Sequence, residues 1–361
     1  MNRKEFLGTT LLASLAAMLP VHAHDFLTID QEPKLSDFAK SLSPVGRALE
    51  FEDYYVWCNS PIEGPDGKIH VFFSRWPKSK GMSGWINSSE IAHAVANTPE
   101  GPYEYVSTVL SPRGEGYWDA TTCHNPSIHF VDGKYALFFL GNSNGKMNTK
   151  RIGLATADSL YGPWTRPDEP LLLPGKEGEW DDLLTTNPSF IKHPNGEYWL
   201  YYKSLDTDGY VHPKFETKGN RKYGLATAKS LEGPYTKYEG NPVVDFHTMG
   251  NNQQCEDAYV WFENGKFKMV ARDMGVFGMD KGLYMESKDG KHWSEPLIGY
   301  QELSKYITQA PANPKHLNRY GRVERPQLLF QNGKPTYLFT ASQGGKYETA
   351  SAFIFKINQK L

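Results

Sequence analysis

Pro126-Ser127-Ile128-His129-Phe130-Val131-Asp132-Gly133-Lys134-Tyr135-Ala136-Leu137-Phe138-Phe139 reads as two strands joined by a two-residue turn. An Asp-Gly pair tolerates the positive φ angles of a tight hairpin, and the flanking β-branched and aromatic residues suit a pleated surface. The arrangement recurs at Asp66-Gly67, Asn195-Gly196, Asn264-Gly265 and Asn332-Gly333, and successive turn glycines are spaced 66, 63, 69 and 68 residues apart. An apolar strand precedes each turn, starting at Pro61, Pro126, Pro188, Ala258 or Pro326. An aromatic strand follows it, as in Phe72-Phe73, Phe138-Phe139 and Tyr201-Tyr202.

Each unit carries a second element. Ile91-Ala92-His93-Ala94 precedes Gly101-Pro102-Tyr103, Gly153-Leu154-Ala155-Thr156 precedes Gly162-Pro163-Trp164, and Gly224-Leu225-Ala226-Thr227 precedes Gly233-Pro234-Tyr235. Gly282-Leu283-Tyr284-Met285 and Gly290-Lys291-His292-Trp293 fill the same slots in the fourth unit. Four strands in a unit of this length make a propeller blade, so the reading is all-β, a five-bladed β-propeller with blades beginning near residues 54, 120, 183, 254 and 322. A two-sheet sandwich does not generate such even spacing. Residues 24–50 are expected to close the ring with a strand beside Ser351–Ile357.

The rest of the composition agrees. Among 361 residues, 39 Lys and Arg oppose 41 Asp and Glu for a net charge of −2, which leaves no basic field for nucleic acid. The 21 Tyr, 19 Phe and 9 Trp suit strands and stacking surfaces. Residues 1–23 combine a basic start at Arg3-Lys4, an apolar run from Leu7 to Leu19 and the small-residue end Val21-His22-Ala23, the pattern of a cleaved signal peptide. Arg3-Lys4-Glu5-Phe6-Leu7 also resembles a twin-arginine export signal with Lys at the second position, which leaves the export route open. No other apolar run approaches the roughly 20 residues of a membrane span. The expectation is a signal peptide over 1–23 and one propeller over 24–361, periplasmic or secreted. Cys58, Cys123 and Cys255 read as small buried residues at equivalent places in three blades. No zinc-type spacing accompanies them, and nothing in the pattern indicates a cofactor or a structural Ca²⁺ on the axis.

In a propeller the innermost strands start around one mouth of the central channel, so the chemistry is expected there. Aligning the units sets Asn59-Ser60-Pro61, His124-Asn125-Pro126, Thr186-Asn187-Pro188, Glu256-Asp257-Ala258 and Glu324-Arg325-Pro326 in register. The second strands return to the same mouth with Arg75 and Trp76, Lys203, and Arg272-Asp273.

These residues resemble those of the five-bladed glycoside hydrolases, the group of families 43, 62, 32, 68 and 117, and the resemblance runs through the whole chain after residue 23. In family 43 an Asp before Pro in blade one is the general base, an Asp before Pro in blade three tunes the site, and a Glu in blade four is the general acid. Glu256 matches the last. Ser60 and Asn187 stand where that family has the two Asp residues, so the pattern is similar to a relative with rearranged carboxylates, close to family 117. The resemblance implies an inverting enzyme with plant or algal oligosaccharide or polysaccharide fragments as its partner. The long loops Trp76 to Ser89, Asp206 to Asn220 and Tyr300 to Arg322, which would wall the mouth into a pocket, point to exo-action on a terminal sugar of anionic, anhydro or arabinose type.

Glycoside hydrolysis needs one carboxylic acid for the leaving oxygen and one carboxylate as base or nucleophile. Glu256 is the expected acid, its pKa raised by burial among Cys255, Tyr259 and Trp261. Asp53 ranks first as base and Asp119 second, with Glu324 holding Arg325 or tuning the pair. His124 is open to several readings, a ligand to a sugar hydroxyl, an acid as the resemblance to family 117 implies, or packing at the axis, and His93 reads as structural. Among Trp57, Trp76, Trp85, Trp118, Trp180 and Trp261, two or three are expected to touch ligand, with Trp76 and Trp118 chosen. Asn125, Asn187 and Asp257 complete the expected binding set. Arg75, Lys203, Arg272 and Arg325 either recognise an anionic sugar or pair with the site's own carboxylates. A carbohydrate-binding propeller without catalysis and a phosphate-using phosphorylase are the competing readings.

Overall fold

The computed structural model describes residues 33–212, 220–246, 253–309 and 317–358. Residues 1–23, read above as a signal peptide, lie outside the described residues. Pro33–Leu361 forms one compact unit.

Five antiparallel sheets make up the fold. Blade one is β2 (Tyr54–Glu63), β3 (Ile69–Pro77), β4 (Glu90–Ala96) and β5 (Glu104–Leu110). Blade two is β6 (Thr122–Val131), β7 (Lys134–Asn142) and β8 (Arg151–Ala157), its outer edge completed by short bridges to Thr165 and Leu172. Blade three is β9 (Thr186–Lys192), β10 (Tyr198–Ser204), β11 (Lys222–Ala228) and β12 (Thr236–Lys237). Blade four is β13 (Gln254–Glu263), β14 (Lys266–Met274), β15 (Gly282–Ser287) and β16 (Leu297–Tyr300). Blade five takes β17 (Glu324–Gln331), β18 (Lys334–Gly344) and β19 (Thr349–Ile357), with β1 (Leu42–Ala48) as its outer strand. The expected closure is therefore made: β1 pairs antiparallel with β19 from Leu42↔Ile357 to Ala48↔Ala352. Each inner strand, β2, β6, β9, β13 and β17, packs against the next around the ring, and β17 returns to β2.

Three of the five turns have the expected two-residue geometry, whereas at Asp66-Gly67 and Asn195-Gly196 only the Gly has positive φ and the longer loops Gly64–Lys68 and His193–Glu197 close the hairpin. Asp132-Gly133, Asn264-Gly265 and Asn332-Gly333 have positive φ at both residues, the type I′ geometry that matches strand twist. The doubled aromatics of the second strands also have a physical reason. Successive side chains on a strand face opposite sides, so Phe72 packs toward blade two and Phe73 toward blade five, while Tyr201 and Tyr202 face blades four and two. A buried apolar cluster thus fills each of the five interfaces between neighbouring blades.

Every inner strand carries the same irregularity. Its pairing with the second strand slips between Trp57 and Ser60, His124 and Ser127, Thr186 and Ser189, Glu256 and Tyr259, and Glu324 and Gln327. The residue inside each slip has positive φ: Cys58 at 55°, Asn125 at 55°, Asn187 at 50°, Asp257 at 58° and Arg325 at 55°. Such β-bulges re-aim a side chain. For residues other than Gly, and Cys and Arg above all, the left-handed conformation costs about 1 kcal/mol or more, so five at one register mark a functional feature.

The slip corrects the alignment of blade one. Trp57 and Cys58, not Asn59 and Ser60, are equivalent to His124 and Asn125, because Pro61 imitates Pro126 two residues too late. Cys58 is therefore not equivalent to Cys123 and Cys255, which sit one residue before His124 and Glu256. The same register makes Ser74, not Arg75, the counterpart of Lys203 and Arg272.

Candidate active site

The five bulge residues meet at the axis in a hydrogen-bonded circle. Arg325 contacts the Cys58 thiol, and Cys58 Sγ donates to Asn125 Oδ1 at 2.6 Å. Asn125 Nδ2 donates to Asn187 Oδ1 at 3.1 Å, and Asn187 Nδ2 to Asp257 Oδ1 at 2.6 Å. Arg325 Nη1 closes the circle on the same Asp257 oxygen at 2.6 Å. All five are buried. Polar groups there need partners, and each supplies the next. Burial is also what pushes the Cys58 thiol up to about 12, so it stays protonated and able to donate.

Above this floor opens a cavity of about 240 Å³. The residues just before the bulges, Trp57, His124, Thr186, Glu256 and Glu324, form its first ring, and Lys203 and Arg272 reach in from the second strands. Its wall continues through Met82 and Trp85, carried over the mouth by the short helical turns after β3, and through Arg319 from the loop before β17. Those last three also line an adjoining groove of about 590 Å³ that runs past Tyr55, Lys78 and Tyr347.

Electrostatics dominate the cavity. Its lining carries six cationic side chains, Lys150, Lys203, Arg221, Arg272, Arg319 and Arg325, against the carboxylates Glu256, Asp257 and Glu324. Glu256 is held by three of them: Lys203 Nζ at 2.5 Å and Arg221 Nε at 2.8 Å on Oε1, and Arg272 Nη1 at 3.1 Å on Oε2. Burial alone would raise its pKa, but these cations outweigh burial and hold the carboxyl well below its usual range. Glu324 behaves oppositely. Arg272 Nη1 at 3.1 Å and Arg319 Nη1 at 3.3 Å share its Oε2, while Oε1 is buried with no hydrogen-bond partner among the described residues. Burial raises its pKa, and the pull of Arg272 and Arg319 does not cancel the rise. The raised pKa expected of Glu256 is thus found at Glu324 instead.

His124 lies between aromatic rings, stacked on Trp85 at 5.0 Å and edge-on to Trp76 at 5.7 Å, with Nδ1 2.8 Å from Ser89 Oγ. Burial first, then Arg325, Lys150 and Arg319, push its pKa well below the ordinary value, so the ring is neutral and not a proton donor at neutral pH.

The structure separates the other expected site residues from the cavity. Asp53 is exposed before β2. Asp119 is buried but locked by Arg113 Nε at 2.7 Å and Arg166 Nη1 at 2.9 Å, so its charge is spent on holding the loop before β6. Arg75 points to the opposite face of β3, where it pairs with Glu90 at 2.8 Å and lies over Tyr54 and Tyr105; a one-residue shift in a strand reverses the side-chain face. Trp118 stacks on Phe139 and covers Gly141 and Gly153, where a Cβ would collide with its ring. Trp57, Trp76 and Trp85 are the tryptophans that line the cavity; Trp180 and Trp261 belong to interblade packing.

Lys150, Arg221 and Arg319 went unnoticed in the sequence. The first two had a signal: each stands directly before a third strand, in Lys150-Arg151-Ile152-Gly153 and Arg221-Lys222-Tyr223-Gly224, at one register of neighbouring blades. Among the described residues no three His, Cys, Asp or Glu side chains group as metal ligands, and no helix is long and apolar enough to cross a membrane.

No family model matches the chain. Over 187 residues, 47% of its length, it is 28% identical to a probable arabinan endo-1,5-α-L-arabinosidase C of Aspergillus fumigatus, covering 49% of that protein. Over 209 residues, 54% of its length, it is 26% identical to the extracellular endo-α-(1→5)-L-arabinanase 2 of Bacillus subtilis, covering 39% of it. The chain therefore spans half or less of the length of these curated relatives. Among solved structures it superposes on a family 117 glycoside hydrolase of the marine bacterium Zobellia galactanivorans with a TM-score of 0.62 at 18% identity, over 86% of this chain and 88% of that one. The fold is that of the five-bladed glycoside hydrolases.

Proposed function

We propose that the chain is a glycoside hydrolase in which Glu324 is the general acid and Glu256 the ionised carboxylate of the catalytic pair. One observation carries this reading. Two carboxyl groups, each 3.1 Å from the same Arg272 nitrogen, have their pKa values pushed in opposite directions, and such a split separates acid from carboxylate in two-carboxylate sites. The leaving oxygen takes its proton from Glu324, while Glu256 stabilises positive charge at the reacting carbon or activates what attacks it. Trp57 and Trp76 are buried, so among the lining tryptophans it is Trp85, partly exposed where cavity and groove meet, that offers an apolar surface to a sugar ring.

Asn125, Asn187, Asp257 and Arg325 of the circle line the cavity, and Met82, Trp85 and Arg319 are shared with the adjoining groove, so a terminal sugar fits the cavity and the remainder of the chain the groove. That supports exo-action on a plant or algal polysaccharide fragment. The distant arabinanases support an arabinan-like backbone. Export is proposed from the Met1–Ala23 pattern and from the extracellular B. subtilis relative.

The test is release of monosaccharide from a panel of cell-wall oligosaccharides by wild-type protein and by Glu324→Gln and Glu256→Gln. Turnover by wild type and its loss in both variants support the reading. Binding of oligosaccharide with no turnover by wild type would make the protein a carbohydrate-binding propeller instead.

A further inference from the structure

We propose that Lys150 and Arg221 form an anion subsite beside Glu256, and that the sugar cleaved carries a carboxylate or ester sulfate that docks there. The proposal rests on the hydrolase reading and adds the substrate class to it.

Among the described residues Lys150 is the cation of the cavity lining that forms no ion pair. It is buried, 4% exposed, and lines the cavity. Its ammonium makes no ion pair among the described residues; its hydrogen-bond acceptor is the Met147 thioether at 2.8 Å, and the Trp85 ring lies 4.5 Å away. A thioether is a weak acceptor and does not neutralise an ammonium. Long charged side chains are almost never this buried without a partner, so a partner arriving with the ligand is the economical explanation.

Arg221 stands at the equivalent position of the next blade. Its Nε is spent on Glu256 and its Nη1 on Gln254 Oε1 at 2.9 Å, which leaves Nη2 open to a ligand. Lys203 completes the group, so Glu256 is the one carboxylate facing three cations. In blade one the same position is Ser89, which binds His124 and carries no charge. Blades two and three thus bring three cations and no carboxylate to the lining, next to the carboxylate that would face the reacting sugar. Burial first, then Lys203 and Arg221, outweigh the pull of Glu256 and bring Lys150 down to about 7, and a bound anion would restore its charge.

The chemistry required is a small oxyanion presented on a ring held against the Trp85 side of the cavity. Uronate carboxylate and ester sulfate both fit it, and inorganic phosphate shares the chemistry.

The experiment measures kcat/KM for oligogalacturonides, sulfated galactan oligosaccharides and neutral arabino-oligosaccharides, with and without inorganic phosphate, using wild type, Lys150→Met and Lys150→Arg. One acidic substrate is expected to exceed the neutral one at least tenfold. Lys150→Met should lower kcat/KM for it by about 10- to 100-fold more than for the neutral substrate, with Lys150→Arg restoring most of the loss. Which acidic substrate responds separates carboxylate from sulfate. Equal rates on all substrates, or an equal loss on all in Lys150→Met, would overturn the subsite and leave the hydrolase reading intact. Calorimetric binding of an oligogalacturonide or sulfated oligosaccharide that needs Lys150 but is followed by no turnover would retain the subsite and sink the hydrolase reading. Phosphate-dependent formation of a sugar phosphate, lost in Lys150→Met, would overturn the glycan anion in favour of phosphate.

Discussion

Glu324 and Glu256 share one guanidinium nitrogen, Arg272 Nη1, 3.1 Å from an oxygen of each, and yet their pKa values are shifted in opposite directions. The difference lies in what else surrounds them. Glu256 adds Lys203 and Arg221 to the shared arginine, whereas Glu324 adds Arg319 and feels the negative charges of Asp257 and Glu256. Removing the charge of Glu256 should therefore lower the pKa of Glu324. In ¹³C carboxyl titrations Glu256→Gln is expected to move the Glu324 transition to lower pH. No movement would mean that burial alone sets its protonation.

The same coupling predicts the pH profile of hydrolysis. An acid with a raised pKa is active while protonated, so kcat/KM should fall as pH rises through the Glu324 value. Glu256, held well below the usual range, stays ionised to far lower pH and sets the acid limb. A rate that climbs from pH 5 to pH 8 would be incompatible with Glu324 as the acid.

Lys150 gives a stability prediction of definite sign. Its pKa is about 7 in the folded protein and about 10.4 in an unfolded chain, so between those values the unfolded state binds more protons and stability increases with pH. Below pH 7 the full cost of burying the charge is present. Lys150→Met should accordingly raise Tm at pH 6, with the gain shrinking toward pH 10. Thermal melts across that range measure it.

The axial circle is expected to matter for folding as much as for the site. Asp257→Ala removes the acceptor of both Asn187 and Arg325 and leaves a buried guanidinium without its counter-charge, a loss of about 3–5 kcal/mol. Denaturant titration reads it directly. Cys58, with its thiol raised to about 12, should resist alkylation at pH 8 until the protein unfolds.

Asp119 and Asp53 separate structure from catalysis. Asp119→Asn weakens a buried carboxylate held by Arg113 and Arg166 and should cost stability by about 2–4 kcal/mol while kcat/KM changes less than about threefold. Asp53→Asn, at an exposed position, should alter neither. A loss of turnover in either variant without loss of stability would return it to the list of bases.

The fold was legible because its signal is local and repeated: a Gly turn and an aromatic second strand in every unit. The site was legible where two blades shared an unusual residue, as with Glu256 and Glu324 before the bulges. It was obscured where a local resemblance misled. Pro61 suggested the wrong register, and the bulge that places Cys58 on the axis leaves no mark in composition. Arg75 was one residue from the mouth position and so on the wrong face. Asp119 was chosen for its nearness to His124 along the chain, while the two arginines that engage it come from outside β6. Arg319 sits on a loop without periodicity, and Lys150 and Arg221 precede the third strands, where nothing in the sequence tells a buried cation from a solvated one. Protonation was the least accessible property. Neighbours in sequence suggested an apolar setting for Glu256, but its charge is set by Lys203, Arg221 and Arg272, from three other strands or loops.

The central claim, that Glu324 protonates the leaving group, is tested most directly by the dependence of rate on that group. Glu324→Gln should lose about 10²- to 10⁴-fold in kcat on a natural oligosaccharide, whose alkoxide leaves only when protonated, yet keep most of its rate on an aryl glycoside with a nitrophenolate leaving group. An equal loss on both substrates, or no loss on the oligosaccharide, would contradict the account.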